Sequence, residues 1–230
     1  MEAIRDQLSP SYDQKQIKDL KLTGSTFKVA PTSNHGSIGR FELLTAFVWK
    51  YRTIALDIPP EDIVHLSYVV SVRVGPHKME LPLGYYGNAL ATPAAVSKAG
   101  LLCSNPLTYA VDLIKKAKKQ VNEEYMKSLA DYLVIHGRRP WTTSWNLLIT
   151  NTALVGLDEV DFGWGKPIFG GAAGSPPSFG CFFMLFNKNR EEKGIVVALN
   201  LPPQAMEIFQ DVIQNLTSKK IEKIQLKSKI

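Results

Sequence analysis

Two cysteines and four histidines in 230 residues leave little material for metal or redox chemistry. Cys103 and Cys181 stand far apart, and neither belongs to a Cys-x-x-Cys pair, so the pattern is that of free thiols. None of His35, His65, His77 and His136 has another histidine or a cysteine at metal-ligand spacing. No Gly-x-Ser-x-Gly elbow is present, so the serines give no nucleophile of the hydrolase type. No apolar run approaches the roughly 18 residues of a membrane span. Met1 to Asp6 lacks the apolar centre of a secretory signal. No nucleic-acid module pattern is found. From the residues alone, no nucleophile or general base stands out.

What remains is a globular composition. Hydrophobic residues make 45% of the chain and charged residues 21%, enough apolar surface for one large domain. The net charge of +6 is concentrated in Lys115, Lys116, Lys118 and Lys119 and in the tail from Lys219 to Lys229. Lysines in such runs read first as solvated faces, and second as a field that steers an anionic ligand.

Residues 1–12 read as the end of a helix, with Ile4 and Leu8 on one face and Ser9-Pro10 as the stop. Residues 13–39 are polar and aperiodic, as a linker or exposed loop would be. From Arg40 the apolar residues Phe41, Leu44, Val48 and Trp49 mark a helix through Ala55, closed by Pro59-Pro60. Val64 to Val74 then alternates apolar and polar residues, with Val69 the one break, which predicts a strand with one polar face. Leu81 to Asn88 is extended and turn-rich. Asn105 as N-cap and Pro106 in the first turn open one helix, with Leu107, Val111, Ile114, Val121, Tyr125 and Leu129 on its stripe. Gly137 to Pro140 terminates it. Leu147–Thr150, Cys181–Phe186 and Ile195–Leu201 read as strands, the last two as a hairpin. Pro202-Pro203 starts a final helix carrying Met206, Phe209, Ile213 and Leu216. The order is helix, strand, helix, three strands, helix. That is an α/β class, a mixed sheet covered by helices.

The most informative run is Asp161-Phe162-Gly163-Trp164-Gly165-Lys166-Pro167. Glycines on either side of a tryptophan predict a tight turn with unusual backbone angles, its indole plugging a core. A carboxylate beside a buried turn needs a partner. Arg73, alone among the valines of its strand, is the candidate. The Gly170-Gly171 to Gly180 stretch lacks the strand–loop–helix setting of a phosphate loop and reads as a flexible loop beside a site.

These stretches resemble the BAHD acyltransferases, whose Asp-Phe-Gly-Trp-Gly signature stands at residues 161–165. The resemblance is carried further by Phe41 to Thr53, Leu66 to Arg73, the turn Gly84-Tyr85-Tyr86-Gly87-Asn88, and Leu201 to Phe209. The extension Lys166 to Gly171 looks most like the branch with benzyl alcohol benzoyltransferases and other alcohol acyltransferases. The resemblance implies a chloramphenicol-acetyltransferase-like domain over residues 40–217, preceded by a residual helix end and atypical linker at 1–39 and followed by a basic tail at 218–230. It implies acyl transfer from coenzyme A, a co-substrate and not a resident cofactor, to a small alcohol. A histidine of a His-x-x-x-Asp motif is the base, in a family usually monomeric. It also implies that Asp161 pairs with Arg73 and that the signature loop, Asp161, Phe162, Gly163, Trp164 and Gly165, supports the domain without doing chemistry. Two departures follow. No His-x-x-x-Asp exists here, so no catalytic residue is assigned and the chain is expected to be inactive alone, a C-terminal half that associates through its uncovered face. Ser71-Val72 stands where the family has Asn-x before the arginine. The C-terminal Ser228-Lys229-Ile230 is one residue from a peroxisomal address, against a cytosolic default.

Overall fold

The structure, a computed structural model, describes residues 25–27, 39–137, 144–153, 155–167, 170–172, 176–189 and 192–227. Strand β1 is Ser25–Phe27, α1 Arg40–Ala55, β2 Ile63–Tyr68, β3 Val70–Ser71, β4 Leu90–Ala91 and β5 Ala94–Lys98. Helices α2 (Ala99–Ser104), α3 (Leu107–Lys119) and α4 (Glu123–His136) follow, then β6 (Trp145–Asn151), β7 (Gly180–Asn189), β8 (Glu192–Leu199) and α5 (Pro203–Lys227). Six strands form one mixed sheet in the order β1-β8-β7-β6-β2-β5. The pairs β2–β6 and β6–β7 are parallel and the outer pairs antiparallel. The expected mixed α/β class is the one observed.

Period two decides which residues face the helices. Val64, Leu66 and Tyr68 of β2 are buried on the same side as Leu147 and Ile149 of β6 and Cys181 and Phe183 of β7. Helix α1 lies on this side. Its Phe41 ring meets Tyr68 at 5.8 Å and Phe183 at 6.2 Å, both edge-on. Helix α3 is tied to the sheet by the Tyr68 hydroxyl, which donates to the Ile114 carbonyl at 2.7 Å. Ala205, Phe209 and Ile213 of α5 complete the core. Residues of the opposite side, such as Leu148, Phe182 and Val196, are half-buried. Two polar groups are buried there, Ser67 donating to Asn146 Oδ1 at 3.2 Å.

Helix α1 ends where Leu56 and Asp57 donate to Arg52 and Ile54 carbonyls, with Asp57 in a left-handed conformation at φ 49° just before Pro59. The predicted strand 64–74 is two strands. At Val69, where the alternation breaks, the chain leaves the main sheet, and Val70–Ser71 pairs instead with Leu90–Ala91 in a separate ribbon.

Four further elements differ from the expectation. Residues 13–39 contain a strand, since Ser25–Phe27 extends the sheet beyond β8. Strand β5 was not expected, because Ala94, Ala95 and Lys98 have weak strand propensity. Its burial nonetheless alternates, with Ala95 and Ser97 inside. Asn105 does not cap α3. Its amide donates to the Leu101 carbonyl at the end of α2, and Pro106 occupies the N-cap. The single helix expected over Leu107 to Leu129 breaks at Gln120–Asn122, where the Asn122 side chain accepts the Tyr125 N–H at 2.8 Å and starts α4. The stripe misleads because Val121, in the break, is as buried as a helix residue. The helix end at 1–12, His35, the terminator residues 138–140, and Ser228 to Ile230 lie outside the described residues.

Candidate functional site

The signature turn is built by its own aspartate. Asp161 Oδ1 accepts the backbone N–H of Gly163 at 2.7 Å and that of Gly165 at 3.0 Å. One carboxylate oxygen can reach both donors only if the chain curls around it. Both glycines do this at φ 98°, a conformation that L side chains rarely adopt. No neighbour crowds either Cα, so the requirement for glycine is conformational and not steric. This accounts for the spacing Asp-x-Gly-x-Gly in physical terms.

The turn does not plug a core. Residues 161–166 are all exposed, Trp164 at 93% and Phe162 at 82% of their free surface. The curl around Asp161 points the two intervening side chains outward. Lys166 pairs with Glu159, and that hydrogen bond and charge, with Asp158 and Asp161 nearby, raise its pKa above the ordinary value. An open cleft of about 730 Å³ runs along this segment, lined by Leu157, Val160, Phe162, Trp164 and Lys166 to Pro167, and closed by Gly170 to Ala172. Gly170 is not there for flexibility. A Cβ on it would stand 2.7 Å from the Leu157 Cβ, so the close approach of the two strands of this loop requires glycine.

The expected Asp161–Arg73 ion pair does not form; each group is satisfied by backbone near it. Arg73 Nη1 donates to the Tyr85 carbonyl at 3.0 Å and Nη2 to the Gly87 carbonyl, with the guanidinium 5.4 Å from the Tyr85 ring centre. The physical reason is exposure. Both residues are open to solvent, so no desolvation cost forces the charges together. Beside Arg73 lies a second open cleft of about 500 Å³, along Pro82 to Gly87.

Among the described residues, no histidine lines either cleft. His65 is half-buried on β2; burial lowers its pKa, and its Nδ1 has no partner. His77 donates from Nδ1 to the Val121 carbonyl at 2.9 Å, and His136 lies tilted against Tyr132, with ring centres 4.7 Å apart. Both thiols are pushed up by burial, which opposes nucleophilic use. Among the described residues, no three His, Cys, Asp or Glu side chains converge as a metal site, and no helix is long and apolar enough to cross a membrane.

Two groups escaped the sequence reading. Arg52, in the last turn of α1, is buried at 7% exposure, with its Nε unpartnered. Lys118, one of the four lysines read as solvated, donates to Glu42 at 2.9 Å and ties α3 to α1. A charge placed on a dense apolar helix was the available signal for Arg52; nothing in the sequence marks the Lys118–Glu42 pair.

With that geometry in hand, comparison with known proteins places the chain. The model of the Transferase family matches residues 5–216, and the chain belongs to that family, the BAHD acyltransferases. It is 43% identical over 198 residues to alcohol acyl transferase 1 allele GSc of Malus domestica, covering 86% of this chain and 43% of that protein. Alcohol acyltransferase 16 of Actinidia chinensis var. chinensis is 42% identical over 182 residues, 79% of this chain and 40% of that protein. The chain therefore spans about two fifths of the length of these relatives. The fold matches that of F. sporotrichioides TRI101 complexed with coenzyme A and T-2, at a TM-score of 0.61 and 19% identity, covering 76% of this chain and 42% of that one. Vinorine synthase matches at a TM-score of 0.54 and 18% identity, covering 75% and 40%.

Proposed function

We propose that the whole protein transfers an acyl group, benzoyl or acetyl, from coenzyme A to a small alcohol, and that these 230 residues form its second domain. The observation that carries the reading is the 42–46% identity to alcohol acyltransferases, sustained over about four fifths of the chain. In that reaction a base takes the alcohol proton and the oxygen attacks the thioester carbonyl. The carbon–sulfur bond then breaks, and the coenzyme A thiolate leaves and takes up the proton. The base is assigned to a part of the whole protein outside these residues, because no histidine here begins His-x-x-x-Asp and, among the described residues, none lines either cleft. The same lack of a base supports a second reading, a non-catalytic half that only binds or pairs. Exposed Leu83, Tyr86, Phe162 and Trp164 favour association of the isolated chain.

The test is thiol release from acetyl- and benzoyl-coenzyme A with butanol or benzyl alcohol. The chain alone is expected to stay at background. Joined to the first half of a Malus domestica alcohol acyl transferase, it is expected to release thiol only when alcohol is present. A folded chimaera that stays silent with every donor rejects the transferase reading in favour of the binding half. Turnover by the chain alone overturns the assignment of the base.

A further inference from the structure

We propose that Arg73 is a positioning residue, a clamp that holds the Pro82–Gly87 loop in one conformation independently of Asp161. The loop joins β3 to β4, and its two ends are fixed. Val72 donates to the Ala89 carbonyl at 3.0 Å, and Met79 donates to the Val72 carbonyl at 2.8 Å. Between those anchors the loop holds itself weakly. Tyr85 N donates to the Pro82 carbonyl at 3.0 Å, and the Tyr85 hydroxyl reaches the Asn88 carbonyl only at 3.4 Å.

The remaining constraint is the guanidinium. Its planar fork donates to two carbonyls two residues apart, those of Tyr85 and Gly87, while its face lies over the Tyr85 ring. A lysine has one charged nitrogen on a flexible stem and matches neither the fork nor the stack. The ring is held from its other end too. A Cβ on Gly87 would lie 2.9 Å from the Tyr85 hydroxyl, so the tyrosine closes down on bare backbone. Tyr85, although 43% exposed, is thus held between Arg73 and Gly87, and Leu83 and Tyr86 are left almost wholly in solvent. A loop that displays two large apolar side chains gains from having its backbone fixed beforehand, since less conformational freedom is lost when they are covered.

A clamp and an Arg73–Asp161 pair predict different behaviour. The full chain is digested briefly with chymotrypsin under native conditions, and cleavage after Leu83, Tyr85 and Tyr86 is followed by mass spectrometry. Arg73→Ala is expected to raise cleavage there about tenfold, as loss of a pair of charge-assisted hydrogen bonds allows, with an unchanged melting temperature. Arg73→Lys is expected to fall between the two, and it decides the matter if the alanine variant does not fold. Asp161→Asn is expected to leave cleavage at 83–86 at the wild-type rate. Wild-type cleavage in both Arg73 variants overturns the proposal. So does Asp161→Asn opening the 83–86 loop as far as Arg73→Ala.

Discussion

Replacing Arg52 by methionine should make this protein more stable. Arg52 sits in the last turn of α1 with its guanidinium almost fully buried, and its Nε has no hydrogen-bond partner. Burial holds its pKa down to about 10, with the neighbouring Cys181 acting weakly the other way. Cys181 cannot serve as a counter-ion, because burial pushes its thiol up and keeps it protonated. A depression of that size corresponds to about 3 kcal/mol against the charged form. Methionine keeps most of the apolar stem and removes the charge, so the gain expected at pH 7 is about 1–3 kcal/mol. For a chain of this size that is a rise of roughly 3–10 °C in melting temperature. Urea denaturation of the wild type and Arg52→Met at several pH values is the assay. The folded pKa of this cation is lowered, so its destabilising effect is fully present below about pH 10 and fades only as pH rises through that value. The difference between the two proteins should therefore be flat from about pH 6 to 9 and shrink above 10. A clear loss of stability in Arg52→Met would refute the reasoning and show that the guanidinium has a partner that offsets its desolvation.

Trp164→Ser should leave the unfolding free energy within about 0.5 kcal/mol of wild type, because its indole is exposed, whereas Trp49→Ala in the core should cost about 3–5 kcal/mol. Comparable losses in both would mean that the signature turn is packed against something. Burial pushes the Glu42 carboxyl up, but hydrogen bonding and charge from Lys118, with Lys115 nearby, outweigh it and hold its pKa below the ordinary carboxylate value. A carboxylate lowered in the fold adds stability above its unfolded pKa and loses it as pH falls through the folded value. Glu42→Gln should therefore lose about 1 kcal/mol at pH 7, and the gap should close as pH falls through the lowered titration of the folded carboxyl; a pH-independent gap in denaturation midpoints would contradict this.

Strong periodicity made the main elements readable: α1, the β7–β8 hairpin and α5 follow directly from where apolar residues recur. Elements held by neighbours were not. β5 is rich in alanine and exists because β2 offers an edge, and β1 pairs with β8 from within a polar stretch. At the site, the glycine requirement of the signature turn was legible, since only backbone freedom explains Gly163 and Gly165 together. The direction of Trp164 was not. A tryptophan's apolar surface predicts burial on average, but here the curl around Asp161 turns it outward. The Asp161–Arg73 expectation failed for a related reason, because it assumed burial that would force the charges to meet, and exposed backbone donors and acceptors satisfied each group first.

The parallel pairing of β2 with β6 sets when this domain can close. Val64 and Leu66 wait for Trp145 and Leu147, which the ribosome delivers much later. Contacts of such sequence separation form slowly, because a long loop must be ordered before they contribute. Until then Leu66 and Tyr68 lack half of their lateral neighbours. Apolar surface left uncovered for that long favours aggregation, so yield in a heterologous host should depend more on translation speed and chaperone supply than on the final stability of the fold.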